Sequence, residues 1–131
     1  MNLLDLAEYL EAQDIGLRVK GMEKNLFLTH MPAQLRTGVL MRESAPGTVF
    51  DHELPQFYRV SFQVVVRHDD FLKGRKIAED VSASLTVHEV TIGSMHLHYI
   101  RPRHQPFVFP ASQGDLLEFS VNFDACYVSA S

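Results

Sequence analysis

The chain has 131 residues, room for one domain whose folding buries roughly two-thirds of the surface an unfolded chain exposes. Its 46% hydrophobic and 21% charged residues are globular proportions that exclude a disordered chain, and a net charge of −4 argues against a dedicated nucleic-acid binder, which uses a Lys/Arg surplus to neutralise phosphates. Cys126 is the single cysteine, so an intrachain disulfide and a four-cysteine zinc site are both excluded, and a reducing compartment fits best.

The opening residues Met1 to Glu8 carry two carboxylates and no basic stretch, so they do not read as a signal peptide. Asn2 is placed to cap a helix over about residues 3–14, with Asp5 near the positive end of its dipole. Leu3, Leu6, Ala7 and Leu10 recur at helical spacing and give that helix one apolar face, and Gly16 is expected to end it.

Residues 25–30 read as a first strand stopped at Pro32, and residues 39–43 as a second. Between Ser44 and Gln56 the chain holds Pro46-Gly47, Pro55 and several polar residues, the mark of a long loop or an extended hairpin arm. From Tyr58 to Arg67 the alternation is clean, with Tyr58, Val60, Phe62, Val64 and Val66 on one side and Arg59, Ser61, Gln63 and Arg67 on the other. The triplet Val64-Val65-Val66 is as long as any apolar run in an expected strand, far short of the ~20 residues a spanning helix needs.

Asp69 or Asp70 caps a second helix running to about Leu85, with Gly74, Ala78, Val81 and Leu85 as its buried stripe and Ile77 beside them. Two more alternating segments follow. One sets Met95, Leu97 and Tyr99 against His96 and His98 and ends at Arg101-Pro102-Arg103; the other sets Leu117, Phe119, Val121 and Phe123 against Glu118, Ser120, Asn122 and Asp124. The expected fold is therefore a single α+β domain over 1–131. Its one sheet, mostly antiparallel or mixed, has four to five strands, and both helices pack on the same face.

Catalytic signatures are weak. His96 and His98 project from one strand face, and two imidazoles can ligate zinc or iron, but no carboxylate is recognisably spaced to complete a site. They are therefore expected as solvent-facing or interface histidines, with no metal, cofactor or catalytic residue assigned. Cys126 follows directly on a strand, without a glycine elbow or helix N-terminus to lower its pKa, and reads as a small buried hydrophobe. Arg101 and Arg103, with Lys73, Arg75 and Lys76, offer a basic patch whose simpler role is a solvated face.

Taken in order, the elements carry a resemblance. Tyr9-Leu10 lies in the first helix, Asn25-Leu26-Phe27 leads to Met31-Pro32, and Val39 to Gly47 reads Val-Leu-Met-Arg-Glu-Ser-Ala-Pro-Gly. Then come Phe62-Gln63-Val64-Val65-Val66-Arg67-His68-Asp69, a helix with Ala78 ending in Leu85, Ile100-Arg101-Pro102-Arg103 with Pro106, and Gly114 before Ser120-Val121-Asn122-Phe123. In this order they resemble the tail terminator proteins of long-tailed bacteriophages; the segment 16–24 and the tail after Asp124 have no counterpart in it.

That resemblance implies a structural virion protein, not an enzyme. It would form a homohexameric ring at the head-proximal end of the tail tube, stop tube growth and present a joining surface to the head–tail connector or stopper protein. The implied partners are further copies of the chain, the tail tube protein and the connector, with genome DNA passing through without sequence-specific binding and no membrane involved. Assembly in the host cytoplasm and residence in the virion tail follow. A neck, head-closure or tail completion protein contacting the portal is the alternative in the same class, and a small metal-dependent enzyme using His96 and His98 the alternative outside it. Val49, Phe50 and Leu54 on the arm, with Arg101 and Arg103, are the candidate interface residues, because apolar anchors on exposed loops carry interface energy.

Overall fold

Asn2 starts the first helix as expected, its side-chain oxygen accepting from the Asp5 amide, and α1 runs over Leu3–Ala12. The structure, a computed structural model, describes residues 1–50, 53–54, 57–110 and 115–129. The helix stops before Gly16 because Asp14 already takes a left-handed conformation at φ 59°, which no helical residue adopts. Residues 16–24 are then pinned from both sides. Asn25 accepts from the Arg18 amide and donates to the Gly16 carbonyl, and Glu11 accepts from the Val19 amide.

Among the described residues eight strands form one sheet: β1 (Leu26–Leu28), β2 (Gly38–Glu43), β3 (Val49–Phe50), β4 (Phe57–His68), β5 (Val87–Ile92), β6 (Met95–Pro102), β7 (Phe107–Pro110) and β8 (Leu117–Ser129). The main order is β1-β2-β4-β8-β6-β5, with β3 added on β4 and β7 on β8. Only the β1–β2 pair is parallel among these pairings, so the sheet is mixed. At its centre β4 and β8 run antiparallel in unbroken register from Phe57↔Val128 to His68↔Leu117.

The expectation of four to five strands is too low, and the three strands it lacks have identifiable reasons. β3 has two residues inside the arm, and β7 is short, mostly exposed and ends on a proline. β5 hides because its partly or fully buried residues Val87, Val90 and Ile92 do not keep a spacing of two; Glu89 between them sits at φ 49° and breaks the alternation. β8 also continues past Asp124 to Ser129, burying Ala125, Cys126 and Tyr127.

Asp70, not Asp69, caps the second helix, accepting from the Lys73 amide at 3.0 Å, and α2 spans Phe71–Leu85. Its stripe of Gly74, Ala78, Val81 and Leu85 is buried. Gly74 is needed for contact, since a Cβ there would stand 2.4 Å from Cε1 of Phe119. One core holds Leu6 and Leu10 of α1, Ala78, Val81 and Leu85 of α2, and the inward residues of the central strands, Val60, Phe62, Val64, Val66, Phe119, Val121 and Phe123. Phe62 and Phe123 stack at its middle with centroids 5.1 Å apart, an arrangement worth ~0.5–1.5 kcal/mol beyond the area buried. Both helices therefore cover one face. Among the described residues no helix is long and apolar enough to cross a membrane.

Candidate functional site

With the helices on one side, the other side of the sheet carries the odd residues of β4 and the even residues of β8 up to Cys126, and these are mostly polar. They satisfy one another across the strands. Arg42 donates to Gln63, Gln63 to Ser120, Arg67 to Glu118 and Ser61 to Asp124. This face is a hydrogen-bonded plane, and Pro46 and Val49 of the arm and Tyr99 and Arg101 of β6 border it around Ser61 and Asp124.

The arm begins as a turn, with the Gly47 amide donating to the Ser44 carbonyl and Gly47 at φ 88°. It is then laid on its own sheet, Val49 opposite Arg59 and Phe50 opposite Tyr58. Alternation sends those two side chains to opposite sides. Phe50 goes to the helix side, edge-on to the Tyr58 ring at 5.6 Å. Val49 lines a groove of about 330 Å³ on the polar side with Pro46, Arg59, Ser61, Arg101 and Asp124. All three apolar arm residues remain accessible, Val49 at 41%, Phe50 at 64% and Leu54 at 51% of full exposure. Residues 51–52 and 55–56 of the arm, and Gly114, lie outside the described residues.

Arg101 reaches this groove because β6 is irregular. Opposite β8, Leu97 pairs with Tyr127 and Tyr99 with Cys126, so His98 is an extra residue in a bulge. Strict alternation would leave Tyr99 on the core side with Leu97; the bulge turns it to the polar side, which corrects the expected facing. There its ring lies 4.4 Å beneath the Arg101 guanidinium, a cation–π contact. Ile100 takes the core position instead.

Arg103 is anchored beside it. Its Nε donates to Oδ1 of Asp124 at 2.9 Å, and the Ser61 hydroxyl donates to the same oxygen at 2.9 Å. The Arg103 hydrogen bond holds the Asp124 carboxyl below its usual range against the opposing effect of burial, and Ser61 adds to it. The structure thus brings Val49, Arg101 and Arg103 around Ser61 and Asp124, while Phe50 and Leu54 stand apart from that groove.

The wider basic patch is mostly compensated. Arg75 pairs with Glu79 and Lys76 with Asp80 one turn along α2, the solvated-face arrangement. Arg75 and Arg103 line one shallow groove with Pro102, His104 and Pro106, each beside its own carboxylate. Cys126 is buried and burial pushes its thiol up, away from the thiolate that a nucleophile requires.

Two features had no counterpart in the sequence reading. Glu89 lies beside the histidine pair, Oε2 at 3.0 Å from Nε2 of His96 and Oε1 at 3.0 Å from Nδ1 of His98. The two imidazoles, His96 first, hold its carboxyl below the usual range. Nine residues separate Glu89 from His98, and only the tight turn between β5 and β6 closes that distance. The second feature is a set of exposed apolar side chains away from the arm: Leu72 at the start of α2, and Phe107 and Phe109 on β7 with rings 6.0 Å apart. The i, i+2 spacing of those phenylalanines was the available signal.

Comparison with known proteins gives a family and a fold. The family described as bacteriophage tail terminator protein matches residues 9–128. Among solved structures, a chain of the virion of a native gene transfer agent particle superposes with a TM-score of 0.68 at 16% identity, covering 94% of this chain and 90% of that one. At that identity the likeness is one of fold. Comparison with curated protein sequences finds no significant match.

Proposed function

The chain belongs to the bacteriophage tail terminator family, and from that membership we propose that it is a structural tail protein that ends the tail tube. In this reading copies of the chain close into a ring, six by the family resemblance, on the head-proximal end of the tube. One ring surface accepts the last tube layer, and the other refuses a further layer and receives the head–tail connector. The match over residues 9–128 carries the reading.

Tube subunits stack through heterologous contacts that have no natural end, so a terminator needs only one tube-like face and one unlike face. Closing a ring needs two different patches on each chain. The arm with Val49, Phe50 and Leu54, and the separate apolar group of Phe107 and Phe109 on β7, are suited to that. Capping makes no demand for a reactive group, and the acidic balance of the chain fits a channel that lets DNA pass without gripping it.

The test is tube growth in vitro. Tail tube protein polymerised with this protein should give tubes that stop lengthening and carry a ring at one end in electron micrographs. Tubes of unchanged length with bare ends at saturating protein would overturn the reading. Binding to a portal complex with no effect on tubes would transfer the protein to the neck.

A further inference from the structure

The face that bears the arm groove also bears a cluster of a different kind. Glu89 on the edge strand β5, and His96 and His98 on β6, bring one ligand atom each to within 4.8 Å of one another. We propose that Glu89, His96 and His98 form a zinc-binding site that clips the edge strand β5 to the sheet.

The donor set is two imidazoles and one carboxylate, which suits Zn²⁺ with a fourth position left open. Zinc bonds of about 2.0–2.1 Å place tetrahedral donors ~3.3 Å apart. One Glu89 oxygen already stands 3.0 Å from His96 Nε2 and the other 3.0 Å from His98 Nδ1, and the three ligand atoms lie within 4.8 Å of one another, so closure draws together side chains that are only half-buried.

The backbone is irregular at this place in both strands. Glu89 occupies the left-handed region at φ 49°, which a side chain with a Cβ rarely adopts. His98 is the bulged residue of β6. Together they interrupt the β5–β6 ladder, which pairs His88 with Tyr99 and then Val90 with Leu97, with no pair between. A metal held by Glu89 and the histidines would join the strands where the ladder lets go.

The surroundings orient the ligands. Thr91 Oγ1 lies 3.0 Å from Nδ1 of His96. A hydroxyl both donates and accepts, so it can accept a hydrogen bond from Nδ1–H, fixing the tautomer that leaves the Nε2 lone pair for a cation, as outer partners of metal-bound histidines do. The Phe57 ring, 5.6 Å from the His98 ring, walls the other side. With side chains at 34%, 33% and 49% exposure the site is open to solvent.

The test adds zinc chloride to the full chain after chelator dialysis, and measures bound metal and the melting temperature. One zinc per chain and a raised melting temperature are expected. The double variant His96→Asn with His98→Asn should lose the binding and the rise, although the other five of the seven histidines remain, His88 beside the site among them. Glu89→Gln supplies a second variant should the double one not fold, and Thr91→Val should weaken affinity about tenfold by removing the outer partner. Unsaturable zinc uptake, or uptake and stabilisation that Glu89→Gln leaves unchanged, would overturn the proposal.

Discussion

Ser61 and Asp124 face each other across the two central strands, and the Ser61 hydroxyl donates to Asp124 Oδ1 at 2.9 Å while Arg103 donates to the same oxygen from the far side. One carboxylate thus ties β4, β8 and the end of β6 at the floor of the groove that the arm overhangs.

Acid should loosen this tie. The Asp124 pKa is lowered from its ordinary value of 3.8, chiefly by Arg103, so the carboxylate contributes stability above that value and loses it as pH falls through the lowered one. Asp124→Asn should melt in less urea than the parent at neutral pH, and the gap should close below about pH 4. A gap of constant size into the acid range would contradict the assignment.

The arm's role is separable from folding. Val49 and Leu54 are exposed, so replacing each with aspartate should cost under ~0.5 kcal/mol of stability, and both together under ~1 kcal/mol. The same charges buried in a subunit contact would be prohibitive. The expected outcome is a folded chain that fails to form rings by light scattering and leaves tube length unregulated. Deleting residues 46–54 should do the same. Rings of normal size from either variant would free the arm from this role.

Much of the fold was legible because the long strands alternate cleanly and the helices carry their caps, as at Asn2 and Asp70. What escaped was local departure from periodicity. Glu89 at positive φ hid β5, and the bulge at His98 reversed Tyr99, so the site they build had no period to read. Charge pairs such as Arg103 with Asp124 depend on strand neighbours 21 residues apart, which composition does not reveal. The exposed candidates on the arm were visible as apolar residues in a turn-rich stretch; the groove that joins Val49 to Arg101 was not.

Gly74 tests the packing of α2. Glycine to alanine inside a helix ordinarily gains ~0.8–1 kcal/mol. Here the new Cβ would stand 2.4 Å from Cε1 of Phe119 and 3.0 Å from the Cβ of His68. Phe119 is fully buried and has the Phe71 ring 5.8 Å away, so it has little room to move. Overpacking of this kind costs ~1–3 kcal/mol, and Gly74→Ala should be destabilised by urea unfolding in spite of its better helix propensity.

Arg67 should tolerate lysine poorly. From β4 its guanidinium donates to Glu118 on β8 with two nitrogens at 3.2 Å, and a third nitrogen reaches the carbonyls of Pro32 at 3.0 Å and Leu35 at 3.1 Å. The side chain is only 15% exposed, so these bonds are shielded, and hydrogen bonds to a charged group are worth ~1.5–3 kcal/mol in such places. Arg67→Ala should lose about that much and leave the 32–35 loop without its clamp. A lysine keeps the charge, but its single nitrogen cannot serve Glu118 and two loop carbonyls at once. Arg67→Lys should therefore recover less than half of the loss in urea unfolding, and its loop amides should exchange faster than the parent's. Full recovery by lysine would reduce the clamp to simple charge pairing.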